Sequence, residues 1–159
     1  MSPVPPFVRH GLDVQLIPLP EIGIDINVLI PAAASGGTTC MFEEVTRPGG
    51  GPPIHVHAGQ DECFYFLEGS YLLHVDGQEW RVGAGDVAVV PRGTPHGFAN
   101  IGTTPGRLLF TLTPALDGEQ FFLELVEVLK EGPPDPDRLN QRFARMGFSV
   151  VGPPLLARG

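Results

Sequence analysis

The sequence predicts an all-β fold, a barrel or sandwich of short strands followed by a pair of short helices. Three observations carry that reading. Gly and Pro are abundant, at 21 and 18 of 159 residues, and they separate short apolar runs instead of gathering in one block, as expected of many strands joined by turns. Asp76-Gly77 lies between two strand-like runs, a strong hairpin signal. The length suits one domain with a genuine core, and no repeat of solenoid period is visible.

Residues 1–35 read as an extended N-terminal arm with edge strands. Pro3, Pro5, Pro6, Pro18 and Pro20 forbid a long helix there. Asp13 to Ile17 suits a short edge strand, and Ile24 to Ile30 alternates apolar residues with Asp25 and Asn27. Residues 36–114 form the core of the β domain. Its first strand is Thr38 to Val45, and the Pro- and Gly-rich stretch Arg47 to Pro53 lets the backbone pass close to the sheet rim. His55 to His57 and Glu62 to Leu67 follow, joined by the turn Ala58-Gly59-Gln60-Asp61. Gly69 to Val75 and Gln78 to Val82 flank the Asp-Gly hairpin. Val87 to Val90 is apolar throughout, as expected of a buried strand, and stops at Pro91. The rigid turn Pro91-Arg92-Gly93-Thr94-Pro95 sets down His96 to Asn100, and Leu108 to Thr113 is the last strand.

Residues 115–159 change character and read as a helical extension packed on the barrel. Asp117 suits the cap of a helix with Gln120 at its third position and an apolar face of Phe121, Phe122, Leu125, Val126 and Leu129. Gly132-Pro133-Pro134 ends it. A second helix starts at Asp135-Pro136 and runs through Leu139, Phe143 and Met146 to Gly147, a residue suited to the C′ position. An amphipathic stripe usually covers a core. The sharper alternative makes these helices a lid over a pocket mouth or a dimer interface.

The formal net charge is −8, and Lys and Arg form no basic stripe, which argues against nucleic acid as a partner. The first six residues lack the basic and apolar regions of a secretory signal, and no apolar run is long enough to span a bilayer. The expectation is a cytoplasmic protein that does not engage membranes. Cys40 and Cys63 make neither a disulfide framework nor a Cys-x-x-Cys motif, and Cys63 should face away from Glu62.

The chemistry concentrates in His55, His57, Glu62 and His96. Alternate residues of a strand share a face, so His55 and His57 present two imidazoles together. Glu62 opens the returning strand of the hairpin, and His96 begins a new strand after a rigid turn. Three imidazoles and a carboxylate suit one divalent transition metal, whether Fe, Mn, Ni, Co, Cu or Zn, with positions left for water or substrate. Glu62 has a second capacity, since a carboxylate can also take a proton from a substrate hydroxyl. Phe64 and Phe66 share the face of Glu62, and Phe98 shares that of His96, so the three are candidate pocket residues. Ordinary barrel core accounts for the same rings. His74 alternates with Tyr71, Leu73 and Val75 and faces away, while His10 lies in the Pro-rich arm.

Gly49, His55-x-His57, Glu62 and Gly69 resemble the first motif of the cupin superfamily, and Gly85, Pro91, Gly93, His96 and Asn100 resemble the second. The likeness extends over about residues 36 to 114. It implies a jelly-roll barrel in which His55, His57, Glu62 and His96 are the metal ligands. The run Pro91 to His96 and the helical tail are similar to the single-domain quercetin dioxygenase group. That implies O₂-dependent carbon–carbon cleavage of an enolic or flavonol-like substrate chelated through its oxygens. A metal-dependent isomerase or epimerase of a small carbonyl compound, and a non-catalytic small-ligand-binding cupin, are the alternatives. The arm, the exposed sheet edges and the likeness together suggest a homodimer.

Overall fold

The computed structural model describes residues 4–11 and 13–157, so positions 1–3 and 12 of the predicted arm and 158–159 of the predicted C-terminal extension lie outside the described residues. Among the described residues, eleven strands form two antiparallel sheets. They are β1 (Gln15–Leu19), β2 (Ile24–Ile30), β3 (Cys40–Thr46), β4 (Pro53–His57), β5 (Asp61–Glu68), β6 (Ser70–Val75), β7 (Gln78–Gly83), β8 (Val87–Val90), β9 (His96–Asn100), β10 (Gly106–Thr113) and β11 (Phe148–Pro154). One sheet has the order β1-β2-β3-β10-β5-β8 and the other β11-β4-β9-β6-β7. Inward residues of both sheets share one core, which is the jelly-roll arrangement. No helix among the described residues is long and apolar enough to cross a membrane.

Alternation drives the sandwich. In β3, Cys40, Phe42, Glu44 and Thr46 are buried while the residues between them are half-buried, and β10 repeats the pattern against it. Phe42 and Phe110 stack at 4.9 Å between ring centroids. The arm keeps to its own sheet, because β1 pairs with β2 at the sheet edge and buries Ile17 and Leu19. At the Asp76-Gly77 hairpin both residues have positive φ, 49° and 79°, the type I′ geometry that matches strand twist. Gly51 is required by close approach, since a Cβ there would collide with the carbonyl oxygen of Phe98.

Three expectations are corrected. The Val87 to Val90 run is not a buried strand, because β8 lies at a sheet edge and Val87 and Val89 are 73% and 68% exposed, with only Val90 buried. A continuous apolar run does not reveal which face is covered. Residues 115–159 are not wholly helical, since β11 pairs with β4 through Phe148↔His57 and Val150↔His55. The first helix, α1 (Glu119–Lys130), has Gly118 and not Asp117 as its N-cap. There the positive φ of Leu116 and Gly118, 45° and 52°, turns the chain before the helix begins. The second helix, α2 (Pro136–Phe143), begins as expected, with the Asp135 carboxylate accepting from the Arg138 amide at 2.9 Å. A 3₁₀ turn at Ala144–Met146 then leads to left-handed Gly147.

Candidate metal centre

Three imidazoles come from one sheet and the carboxylate from the other, so β4 and β5 do not pair as the hairpin expected from the sequence; the turn between them carries the chain from one sheet to the other. His55 on β4 stands directly opposite His96 on β9, and His57 shares the inward face of β4 with His55. Glu62 enters from β5, where the buried face also carries Phe64 and Phe66 and leaves Cys63 exposed. Each of the four residues offers a ligand atom, and these atoms all lie within 4.8 Å of one another. All four residues are buried, His96 most deeply at 1% exposure. The residues that the sequence singled out as ligands are therefore together at one point.

Hydrogen bonds orient the rings as ligands. His55 Nδ1 lies 2.8 Å from the Pro53 carbonyl oxygen, and His96 Nδ1 lies 2.9 Å from that of Thr94. A carbonyl only accepts, so Nδ1 carries the proton in both rings and Nε2 is turned toward the cluster. Glu62 Oε2 lies 2.8 Å from His96 Nε2 and 3.5 Å from His57 Nε2. Burial, with like charge from neighbouring imidazoles adding to it, holds His55 well below its ordinary value. His57 is lowered by burial as well, against the pull of Glu62. Burial also disfavours the charged form of His96, but the hydrogen bond and charge of Glu62 outweigh it and raise this group. Buried imidazoles aimed at a shared carboxylate fit a divalent transition metal, because neutral imidazole is the ligating form.

The approach loops are tied to this geometry. Arg92 holds Asp61 through its backbone amide at 2.9 Å and through Nε and a terminal guanidinium nitrogen at 3.1 and 2.9 Å. That joins the residue before Glu62 to the turn that delivers His96. The Gly93 amide donates to the His57 carbonyl at 2.9 Å, closing the same turn on β4.

His55, His57 and Glu62 face a cavity of about 70 Å³. Phe98, Phe110, Phe121, Phe122 and Phe148 form its aromatic wall, and Leu125, Leu129 and Leu139 close it from the helices. Both helices thus shape the pocket as well as covering core. Phe98 lines the cavity as its strand face suggested. Phe64 and Phe66 are buried, at 2% and 0% exposure, in the core and are not on its wall. They stack on each other at 6.1 Å, with Phe64 edge-on to Phe98 at 5.6 Å, and so support the wall from behind. Face alternation gave their side of the sheet but not their depth.

Glu44 is the polar cavity residue outside the cluster that sequence reasoning missed. Its signal was present, since period-two alternation puts it on the same face as Phe42. Its carboxyl is buried and accepts from Thr46 Oγ1 at 2.7 Å. Burial raises it from 4.5 to about 8, with the Thr46 hydrogen bond opposing and the charge of Glu62 adding. A carboxyl raised on folding keeps its proton while the unfolded chain loses it, so this group makes stability fall as pH rises from about 4.5 to about 8. Glu44→Gln removes that loss. Its unfolding free energy should gain on the wild type by on the order of a few kcal/mol between pH 5 and 8 in urea titrations; parallel pH profiles would contradict this.

Two antiparallel sheets with three imidazoles and a carboxylate gathered between them define a cupin, and the chain belongs to the cupin family. Residues 42–112 match the family described as Cupin domain. Uncharacterized protein MJ1618 of Methanocaldococcus jannaschii is 30% identical over 93 residues, 58% of this chain and 74% of that one. Tetracenomycin polyketide synthase protein TcmJ of Streptomyces glaucescens is 29% identical over 114 residues, 72% of this chain and 69% of its own. The crystal structure of the polyketide cyclase RemF from Streptomyces resistomycificus superposes with a TM-score of 0.58 at 28% identity, covering 67% of this chain and 78% of that chain. Similarity to quercetin 2,3-dioxygenase of Bacillus subtilis is shorter, 35% over 69 residues, 41% of this chain and 20% of that protein.

Proposed function

We propose that the protein is a metal-dependent oxidoreductase, a dioxygenase acting on a flat, enolic, flavonol-like substrate. The observation that carries this reading is the cavity wall. Five phenylalanines face a space that ends on His55, His57 and Glu62, and aromatic walls select planar apolar molecules while excluding water. No Lys or Arg lines the cavity among the described residues, which weighs against a sugar phosphate or other strongly anionic substrate. Held by the four ligands, a divalent ion would polarise a chelating substrate oxygen and ease loss of its proton. Glu62, already hydrogen-bonded within the cluster, takes the enolic proton, and His55 and His57 keep their orientation through β4. The phenylalanines fix the ring plane and keep the site dry. O₂-dependent cleavage of a carbon–carbon bond is then the reaction, in keeping with the partial similarity to quercetin 2,3-dioxygenase.

Ring closure without O₂ is the second reading. The similarity to the polyketide cyclase RemF favours it, and that to the polyketide synthase protein TcmJ points to the same substrate class; both run over two thirds or more of each chain. An oxygen electrode with simultaneous absorbance recording separates the two. Loss of the flavonol band of quercetin with matching O₂ uptake, in iron-, manganese-, nickel- or cobalt-loaded protein, is the expected result. Turnover of a polyketide-like substrate without O₂ uptake would establish the second reading, and binding without turnover would make the protein a ligand-binding cupin. A cytoplasmic setting and a homodimer belong to the same proposal, the latter supported by the exposed Val87 and Val89 of edge strand β8.

A further inference from the structure

Outside the four-residue cluster, Glu44 is the one titratable side chain on the cavity wall among the described residues. Every other non-cluster residue that lines it is apolar. A carboxyl in such a wall is costly to bury, and Thr46 is the side chain that hydrogen-bonds it. It is also held in place. The Tyr71 hydroxyl donates to Thr46 Oγ1 at 3.1 Å, Thr46 donates on to Glu44, and Asn100 Nδ2 fixes the Thr46 carbonyl at 2.8 Å. Glu44 belongs to β3, two strands from Glu62 in the order β3-β10-β5. It stands beside Leu108 of β10 and Glu62 beside Leu112. Strands lie about 5 Å apart, so the two backbones are roughly 10 Å apart across the sheet, with a further offset along it. Glu44 is too remote to join the cluster, and one substrate that reaches both must be longer than a single ring.

We propose that Glu44 is a specificity residue that hydrogen-bonds a hydroxyl on the end of the substrate remote from the metal ligands. The inference rests on reading the cavity as the site of a flat enolic molecule, and adds that this molecule carries a polar group far from its chelating oxygens. A buried hydrogen-bonding group discriminates strongly against an analogue that leaves it unpaired. Thr46 is a positioning residue that aims the carboxyl.

The test is anaerobic absorbance titration of zinc-loaded protein with quercetin and with 3-hydroxyflavone, which keeps the chelating oxygens and lacks the remote hydroxyls. Wild type should bind quercetin about 10- to 100-fold more tightly than 3-hydroxyflavone. In Glu44→Leu that preference should fall to about threefold or less through loss of quercetin affinity, with 3-hydroxyflavone bound at least as well as before. Glu44→Gln should keep part of the preference, and Thr46→Val should reduce it. An unchanged preference in Glu44→Leu, or no preference in wild type, overturns the inference and leaves the substrate reading intact. Failure of wild type to bind either flavonol overturns both. Should Glu44→Leu not fold, Glu44→Ala decides, since it also removes the hydrogen-bonding group and an undiminished preference there likewise refutes the role.

Discussion

His57→Ala, His55→Ala and His96→Ala should each lower metal affinity by on the order of 100-fold or more and reduce turnover to background. The expectation follows from how few donors the site has. Its ligand atoms lie within 4.8 Å of one another, so removing one imidazole removes a quarter of the protein's donor set. The loss should not spread to the fold. β4 and β9 keep their hydrogen-bonded neighbours, and each variant relieves crowding of buried imidazoles whose ring centroids are 4.3 to 5.6 Å apart. Metal-free variants should therefore melt within a few degrees of metal-free wild type, while the rise in melting temperature on adding metal disappears. Stoichiometry by elemental analysis after dialysis, beside thermal scans with and without metal, checks both halves. A variant that retained a full equivalent of metal at wild-type affinity would show that the ligands lie elsewhere.

Glu62→Gln should separate binding from chemistry. The amide keeps the size of the carboxylate and an oxygen donor, and three imidazoles remain, so metal affinity should fall by about tenfold or less. Turnover should fall by on the order of 10² to 10⁴, the range expected when a positioned base is lost. The geometry supports the dual role, because Oε2 of Glu62 is within 2.8 Å of His96 and 3.5 Å of His57 while the residue also faces the cavity. Steady-state kinetics on protein of measured metal content is the check. Full turnover in metal-replete Glu62→Gln would remove the base role and leave Glu62 as a ligand only.

Much of this was legible in the sequence because it was local. Ile24 to Ile30 alternates cleanly and is a strand over that whole span. His55, His57 and Glu62 lie close together in sequence, but β4 and β5 belong to different sheets and do not pair as the expected hairpin, and His96 meets His55 only through the long-range β4–β9 pairing, so the motif resemblance is what singled out the quartet. What escaped depended on distant parts of the chain. β11 alternates over only Phe148-Ser149-Val150 before Gly152, Pro153 and Pro154 break the pattern, and its pairing with β4 spans about ninety residues. Val87 and Val89 are exposed because they share the outward face of β8, beside Tyr65 and Cys63, while Val90 points inward beside Glu62. The cavity wall is non-local too. Phe121, Phe122 and Phe148 reach it because α1 and β11 dock beside β4, with Phe121 and Phe148 at 4.8 Å. Glu44 was visible in principle as a carboxylate on an apolar face, but nothing in its neighbours distinguishes a cavity from packed core.

The most direct test of the shared site is a crystal of the metal-loaded protein measured at the absorption edge of its metal. One anomalous peak is predicted, about 2.0–2.3 Å from an imidazole nitrogen of each of His55, His57 and His96 and from a carboxylate oxygen of Glu62. A peak at any other position, or none at this point in protein shown to contain one equivalent of metal, would contradict it.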